Sequence, residues 1–163
     1  MKNLPHCGRL YQRINRYSTL LVDYFVEIAI TEMDNKKFAQ IRHHLGKTQN
    51  ELAELLCVSP KAIQSFEQGW RKIPASAERQ LLMLLSLGKK QDENARPCWE
   101  IMNCPPKWKD KCIVWEHKAG RNCWFFSGTY CQGLSQKSWR SKMELCWQCE
   151  VFHQAFPSFI GER

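Results

Sequence analysis

Seven of the nine cysteines (Cys98, Cys104, Cys112, Cys123, Cys131, Cys146 and Cys149) fall in one stretch of the chain, together with six of the seven tryptophans. No other feature constrains the fold as much. A segment of this size with few aliphatic side chains cannot stabilise itself by apolar burial alone, and small domains in that position are held by metal or by disulfides. Redox compartment decides between the two. The only apolar stretch near the N-terminus, Thr19 to Ile30, is broken by Asp23 and Glu27 and is followed by no small-residue cleavage site, so no signal peptide is expected. A reducing cytoplasmic setting follows, in which clustered thiols are metal ligands or redox groups rather than a disulfide framework.

The rest of the chain reads differently. With 44% apolar and 25% charged residues among 163, the protein is neither wholly disordered nor built to span a membrane. The net charge of +8 is unevenly placed: residues 36–90 hold 10 basic and 4 acidic groups, whereas residues 1–35 balance and residues 91–163 hold 10 against 8. Positive charge concentrated in one segment suggests an anionic partner for that segment.

That same segment is punctuated like a helical domain. Phe38, Ile41 and Leu45 recur at helical spacing and Gly46 closes the first helix. Thr48-Gln49-Asn50-Glu51 is a capping box, and Leu52, Ala53, Leu55 and Leu56 form the expected buried face of a second helix that ends at Cys57-Val58. Ser59 as N-cap and Pro60 as first residue open a third helix, Pro60 to Gln68, with Ile63 and Phe66 inward and Gly69 as its stop. After the turn Trp70-Arg71-Lys72-Ile73-Pro74, a fourth helix is expected from Ala75 to Leu87, ending at Gly88. The short turn between helices two and three fits either a helix-turn-helix, whose second helix enters a DNA major groove, or a plain bundle with a basic surface.

Ile41-Arg42, Thr48-Gln49, Glu51-Leu52-Ala53, Val58-Ser59, Ala62-Ile63, Phe66-Glu67-Gln68-Gly69 and Arg71-Lys72 together resemble the Cro/C1-type (XRE-like) helix-turn-helix family over residues 36–87. Two positions depart from the family pattern: Cys57 stands where glycine is usual in the turn, which would strain it by about 1 kcal/mol if that backbone is left-handed, and Lys47 stands where an apolar residue is common. The resemblance implies that Pro60, Lys61, Gln64 and Ser65 face the groove. Lys61 is then suited to guanine and Gln64 to adenine, with Ser65 a weaker reader. Gln49, Arg71 and Lys72 are the implied phosphate contacts. Glu67 is expected to be structural, paired with a basic neighbour.

In the cysteine region only Cys146 and Cys149 have the two-residue gap by which one turn presents two sulfurs to one ion. Irregular spacing elsewhere leaves three readings open: an iron–sulfur cluster, zinc, or metal-free redox thiols. His117 and His153 are candidate fourth ligands for zinc. Trp99, Trp124 and Trp147, each adjacent to a cysteine, would shield the site from water. Lys107, Lys109, Lys111, Arg121, Lys137, Arg140 and Lys142 form either a second nucleic-acid surface or a solvated basic face. Cys98-Trp99-Glu100, Cys104, Cys112, Gly120-Arg121-Asn122-Cys123-Trp124, Gly128-Thr129-Tyr130-Cys131-Gln132-Gly133, Lys142 and Cys146-Trp147-Gln148-Cys149 resemble the two-CW domain, a small module accompanying bacterial signalling and regulatory proteins. That resemblance implies a sensory accessory.

The expected fold is therefore mainly α: a four- or five-helix Cro/C1-type helix-turn-helix domain (36–88) and a small irregular cysteine-rich, metal-bound domain (98–155). These are joined by a linker (89–97) and flanked by an N-terminal extension (1–35) and a tail (156–163). The expected function is a cytoplasmic, non-enzymatic, sequence-specific transcriptional regulator that binds double-stranded DNA as a homodimer. Its seven-cysteine module would bind the ion or cluster and respond to redox or metal state. Two other classes stay open, an electron-transfer protein acting through the cysteines and a protein-interaction adaptor. No nucleophile–base pair, phosphate loop or nucleotide fingerprint points to catalysis.

Overall fold

The computed structural model describes residues 33–88 and 95–156. Most of the expected N-terminal extension, most of the linker (89–94) and most of the tail (157–163) lie outside the described residues.

Four helices form the first unit: α1 (Asn35–His44), α2 (Gln49–Leu55), α3 (Pro60–Glu67) and α4 (Ala75–Leu87). Local chemistry sets their limits. The Asp34 side chain accepts from Lys37 N–H at the start of α1, and the Thr48–Glu51 capping box closes reciprocally at the start of α2. Ser59 caps α3 ahead of Pro60 by accepting from Ala62 N–H. The first three helices end in the same way. Gly46, Cys57 and Gly69 adopt φ of 64°, 51° and 73°, and each is bracketed by the paired 5→2 and 6→1 hydrogen bonds of a Schellman motif, as in Cys57 N–H to Glu54 O and Val58 N–H to Ala53 O. Gly88, the expected stop of α4, has an ordinary φ of −70°.

The core of this unit joins Phe38 and Ile41, Leu52, Ala53 and Leu56, Ile63 and Phe66, and Leu81, Leu82 and Leu85. Met33 is buried there too, so the unit reaches back beyond the expected boundary at residue 36. Leu55, expected on the buried face of α2, is instead 46% exposed. At helical spacing Leu52 and Leu56 share the inward face one turn apart, which turns Leu55 to its margin.

The second unit is a chain of short pieces: α5 (Cys98–Ile101), α6 (Pro106–Lys109), α7 (Ile113–Glu116), a 3-10 helix η1 (Gly120–Phe125) kinked at Asn122, the hairpin β1 (Tyr130–Cys131) and β2 (Leu134–Ser135), α8 (Trp139–Cys146) and α9 (Glu150–Ala155). The hairpin register pairs Tyr130 with Ser135 and Cys131 with Leu134. Its two-residue loop, Gln132-Gly133, has positive φ at both positions, the conformation that matches strand twist. Glycine is also required where rings press on backbone. A Cβ on Gly120 would lie 2.6 Å from both Pro97 and the Trp99 ring, and one on Gly133 would lie 2.8 Å from Trp108.

The two units share one apolar core, because Trp124, Trp139, Met143, Trp147, Phe152 and Phe156 belong to the same buried cluster as the helical domain. The Phe156 ring lies edge-on to Trp124 at 5.1 Å and tilted against Phe152 at 4.8 Å, so the module extends into what was expected as tail. No described helix is long and apolar enough to cross a membrane.

Candidate nucleic-acid interface and cysteine module

The α2–α3 pair holds the implied DNA-facing residues at the surface. Pro60, Lys61, Gln64, Arg71 and Lys72 are exposed, while Ser65 and Gln49 are half-buried. Ile63 and Phe66 on the opposite side of α3 are anchored in the core, Phe66 edge-on to Phe38 at 5.7 Å. Helical periodicity therefore turns Lys61 and Gln64 outward on a rigid support. The Ser65 hydroxyl donates to Lys61 O at 2.8 Å, which commits its proton within the helix and leaves only acceptor capacity for a base.

A buried ionic network fixes the angle of α3. Arg42 on α1 donates from Nε to Glu67 Oε1 at 2.5 Å, from Nη2 to Glu67 Oε2 at 3.2 Å, and from Nη1 to Lys47 O at 2.7 Å. Gln49 Nε2 donates to the same carboxylate at 2.7 Å. Burial pushes the Glu67 carboxyl up, but the hydrogen bonds from Arg42 and Gln49 and the guanidinium charge outweigh it, leaving a net depression. Glu67 is thus the expected structural carboxylate, and its charge is neutralised internally instead of facing a phosphate. Gln49, implied as a phosphate contact, has one amide proton held by Glu67 and one remaining. Arg42 stood inside the recognised motif without a role, and the long sequence separation from Glu67 hid the pairing.

Residues 38–79 match the helix-turn-helix family model. The match takes in all of α2 and α3 and stops short of the cysteine module. No curated protein and no solved structure matches the chain.

The seven cysteines all lie in the second unit, in more than one group. Cys98, Cys104 and Cys112 line a recess walled by Trp99, Trp108 and Tyr130, and Cys112 Sγ accepts from Tyr130 N–H at 3.5 Å. Deeper lie Cys123, Cys131 and Cys146, around an unexpected group. Lys142, expected on either a second nucleic-acid surface or a solvated basic face, is on neither: it is fully buried, with Nζ donating to Thr129 Oγ1 at 2.7 Å. Cys131 Sγ donates to that same oxygen at 3.3 Å. Cys146 follows Lys142 by one helical turn and so shares its face.

Burial pushes the Cys146 thiol up to about 12 and raises Cys131, Cys104 and Cys149 as well. A hydrogen bond with Cys98, added to burial, takes Cys123 well above its ordinary value. The Lys142 charge opposes the rise at Cys123, Cys131 and Cys146 without reversing it. In this arrangement burial favours the neutral thiols, and the buried Lys142 side chain lies beside them.

The expected iron–sulfur cluster or zinc can be tested against these groups. Besides Lys142, the module encloses two indole N–H groups, those of Trp124 and Trp147, that have no hydrogen-bond partner. Donor chemistry and charge balance fit an anionic thiolate centre. The spacing of the sulfurs does not assemble one, because among the described residues no three His, Cys, Asp or Glu side chains form a group able to hold a metal ion. Neither candidate histidine turns to the sulfurs: His153 Nε2 lies 2.7 Å from Trp147 O and His117 stacks on Phe126. In the close pair, Cys149 Sγ is directed at Met102 Sδ, 3.9 Å away.

Specific contacts join the two units. Trp139 Nε1 donates to the buried Glu78 carboxylate of α4 at 2.8 Å. Arg79 lies over the Trp139 ring at 4.5 Å and donates to Ser127 Oγ at 2.9 Å, and Lys37 of α1 lies 4.9 Å from the Trp147 ring centre.

Proposed function

We propose that this protein is a sequence-specific DNA-binding transcriptional regulator of bacterial type. It would act in the cytoplasm and bind as a homodimer, since one recognition helix covers only a half-site. The observation that carries the reading is the pair Lys61 and Gln64, exposed on α3 while the opposite side of the helix is locked into the core by Ile63 and Phe66. Lys61 would donate to guanine and Gln64 to adenine. Ser65 would accept from a base edge, Pro60 would pack against the groove wall, and Gln49, Arg71 and Lys72 would hold phosphates.

A salt-titrated shift assay against a randomised duplex pool tests this. Wild type should select a sequence, and Lys61→Ala and Gln64→Ala should each relax preference at one position by about 1–3 kcal/mol. Equal binding to every duplex, or none, overturns the reading in favour of an adaptor.

The regulatory half of the proposal gives the cysteine module the sensing of redox or metal state, with an iron–sulfur cluster or zinc as occupant of the seven thiols. Zinc would supply a structural clamp and a cluster a redox-responsive one. Support comes from Lys142, buried beside Cys131 and Cys146 with Nζ on Thr129, and from the core that the module shares with the helical domain. Metal analysis and the visible spectrum of protein purified without oxygen separate the two occupants. Equal operator affinity for metal-loaded and metal-free protein would refute coupling.

A further inference from the structure

Trp70 is the one exposed tryptophan among the described residues. The other six are buried or half-buried in the cysteine module, whereas Trp70 is 72% exposed, the most exposed large apolar side chain in the described structure. Leaving an indole in water forfeits the stabilisation that burial would give it. Its backbone, however, is tightly held. Trp70 is the residue after the left-handed Gly69, and its N–H donates to Ser65 O at 3.0 Å, with Arg71 N–H donating to the same carbonyl at 3.3 Å. The indole thus projects from a rigid turn at the C-terminal end of α3, between the base-reading residues and the exposed pair Arg71 and Lys72.

We infer that the Trp70 indole is a contact to the sugar–phosphate backbone of duplex DNA, at the edge of the groove that α3 enters. This rests on the reading of α3 as a recognition helix. Charge selects the occupant. Residues 68–77 contain Arg71 and Lys72 and no acid. The flanking carboxylates are both engaged elsewhere, Glu67 with Arg42 and Gln49, and Glu78 with Trp139. An apolar ring in a positive field suits a polyanion that also offers apolar faces, and deoxyribose beside phosphate has that character. The ring face can cover the sugar while the indole N–H donates to a phosphate oxygen. A second copy of this chain is disfavoured as occupant, because a two-fold contact centred on Trp70 would bring both pairs of cations together.

The inference separates Trp70 from its neighbours by its salt signature. Arg71 and Lys72 displace counterions on binding, so removing either should flatten the plot of log affinity against log salt by about 0.9. An uncharged ring displaces none. The experiment uses the full chain, a duplex selected from the randomised pool and a random-sequence duplex of equal length. Trp70→Ala should weaken both complexes by a similar factor, about tenfold on the scale of aromatic platforms, with the salt slope unchanged. Trp70→Phe should retain most of the affinity. Quenching of tryptophan emission on duplex addition should be smaller in Trp70→Phe than in wild type.

Wild-type affinity in Trp70→Ala, with Lys61→Ala still relaxing sequence preference, overturns the inference alone. Failure of wild type to bind either duplex overturns it together with the proposed function. A loss confined to the selected duplex, or a change of oligomeric state in Trp70→Ala by sedimentation, also refutes it, by assigning the ring to base readout or to a second copy.

Discussion

Replacing Cys57 by glycine should stabilise the protein. Cys57 occupies the left-handed position of the Schellman motif that ends α2, with φ of 51°, and it is exposed. A non-glycine residue in that region costs roughly 1–2 kcal/mol in contact between Cβ and the backbone. Glycine removes the clash but carries roughly 0.5–1 kcal/mol of extra unfolded-state entropy. No buried contact is lost at an exposed side chain, so the net gain is about 0.5–1 kcal/mol. The molecule contains its own control. Gly46 holds the equivalent position after α1 with φ of 64°, and a Cβ there would meet nothing within 4 Å, so Gly46→Ala isolates the same conformational cost with opposite sign. Cys57→Ala keeps the strained backbone and should be near neutral. Urea unfolding under reducing conditions measures all three, read as midpoint shifts at constant slope. If Cys57→Gly lowers the midpoint, or leaves it unmoved while Gly46→Ala lowers it, the strain argument at Cys57 is wrong.

Three further outcomes follow from buried contacts. The carboxyl of Glu67 is depressed in the folded state, so its contribution is complete above the unfolded pKa and is lost as pH falls through the folded one. Acid should thus destabilise the protein below roughly pH 4.3, and Glu67→Gln, which leaves Arg42 buried without its counter-charge, should cost about 3 kcal/mol at neutral pH and flatten that acid limb. Glu78→Ala strands the Trp139 indole N–H and should cost about 1–3 kcal/mol; far- and near-ultraviolet circular dichroism should still melt together, and two separated transitions would contradict a shared core. Gly120→Ala forces a methyl group against Pro97 and Trp99 and should cost about 1–3 kcal/mol in urea unfolding; a loss of a few tenths would mean that α5 yields freely.

The helical domain was legible in the chain because its signals are local. Thr48 and Glu51, Ser59 and Pro60, and Gly46 and Gly69 act within a turn of where they stand, so caps and stops report helix limits directly. The exposure of Leu55 escaped that reading, since apolar residues on neighbouring helix positions do not say which of them the other helices cover. Spacing alone was equally silent about the cysteines. It located seven thiols and one close pair, but not that Cys149 Sγ is directed at Met102 Sδ.

The sequence by itself determined, to within a residue or two, where α1 to α4 begin and end, and that Ile63 and Phe66 of α3 face inward, because hydrogen-bond capping and helical periodicity act over three or four residues. Only the tertiary structure decided that Arg42 neutralises Glu67 from 25 residues away, that Trp139 reaches Glu78, and that Lys142 is enclosed among thiols instead of meeting water. The physical reason is common to all three. Whether a charge or a polar hydrogen is buried, and what compensates it there, depends on which distant segments close over it, and no local pattern in the chain records that choice.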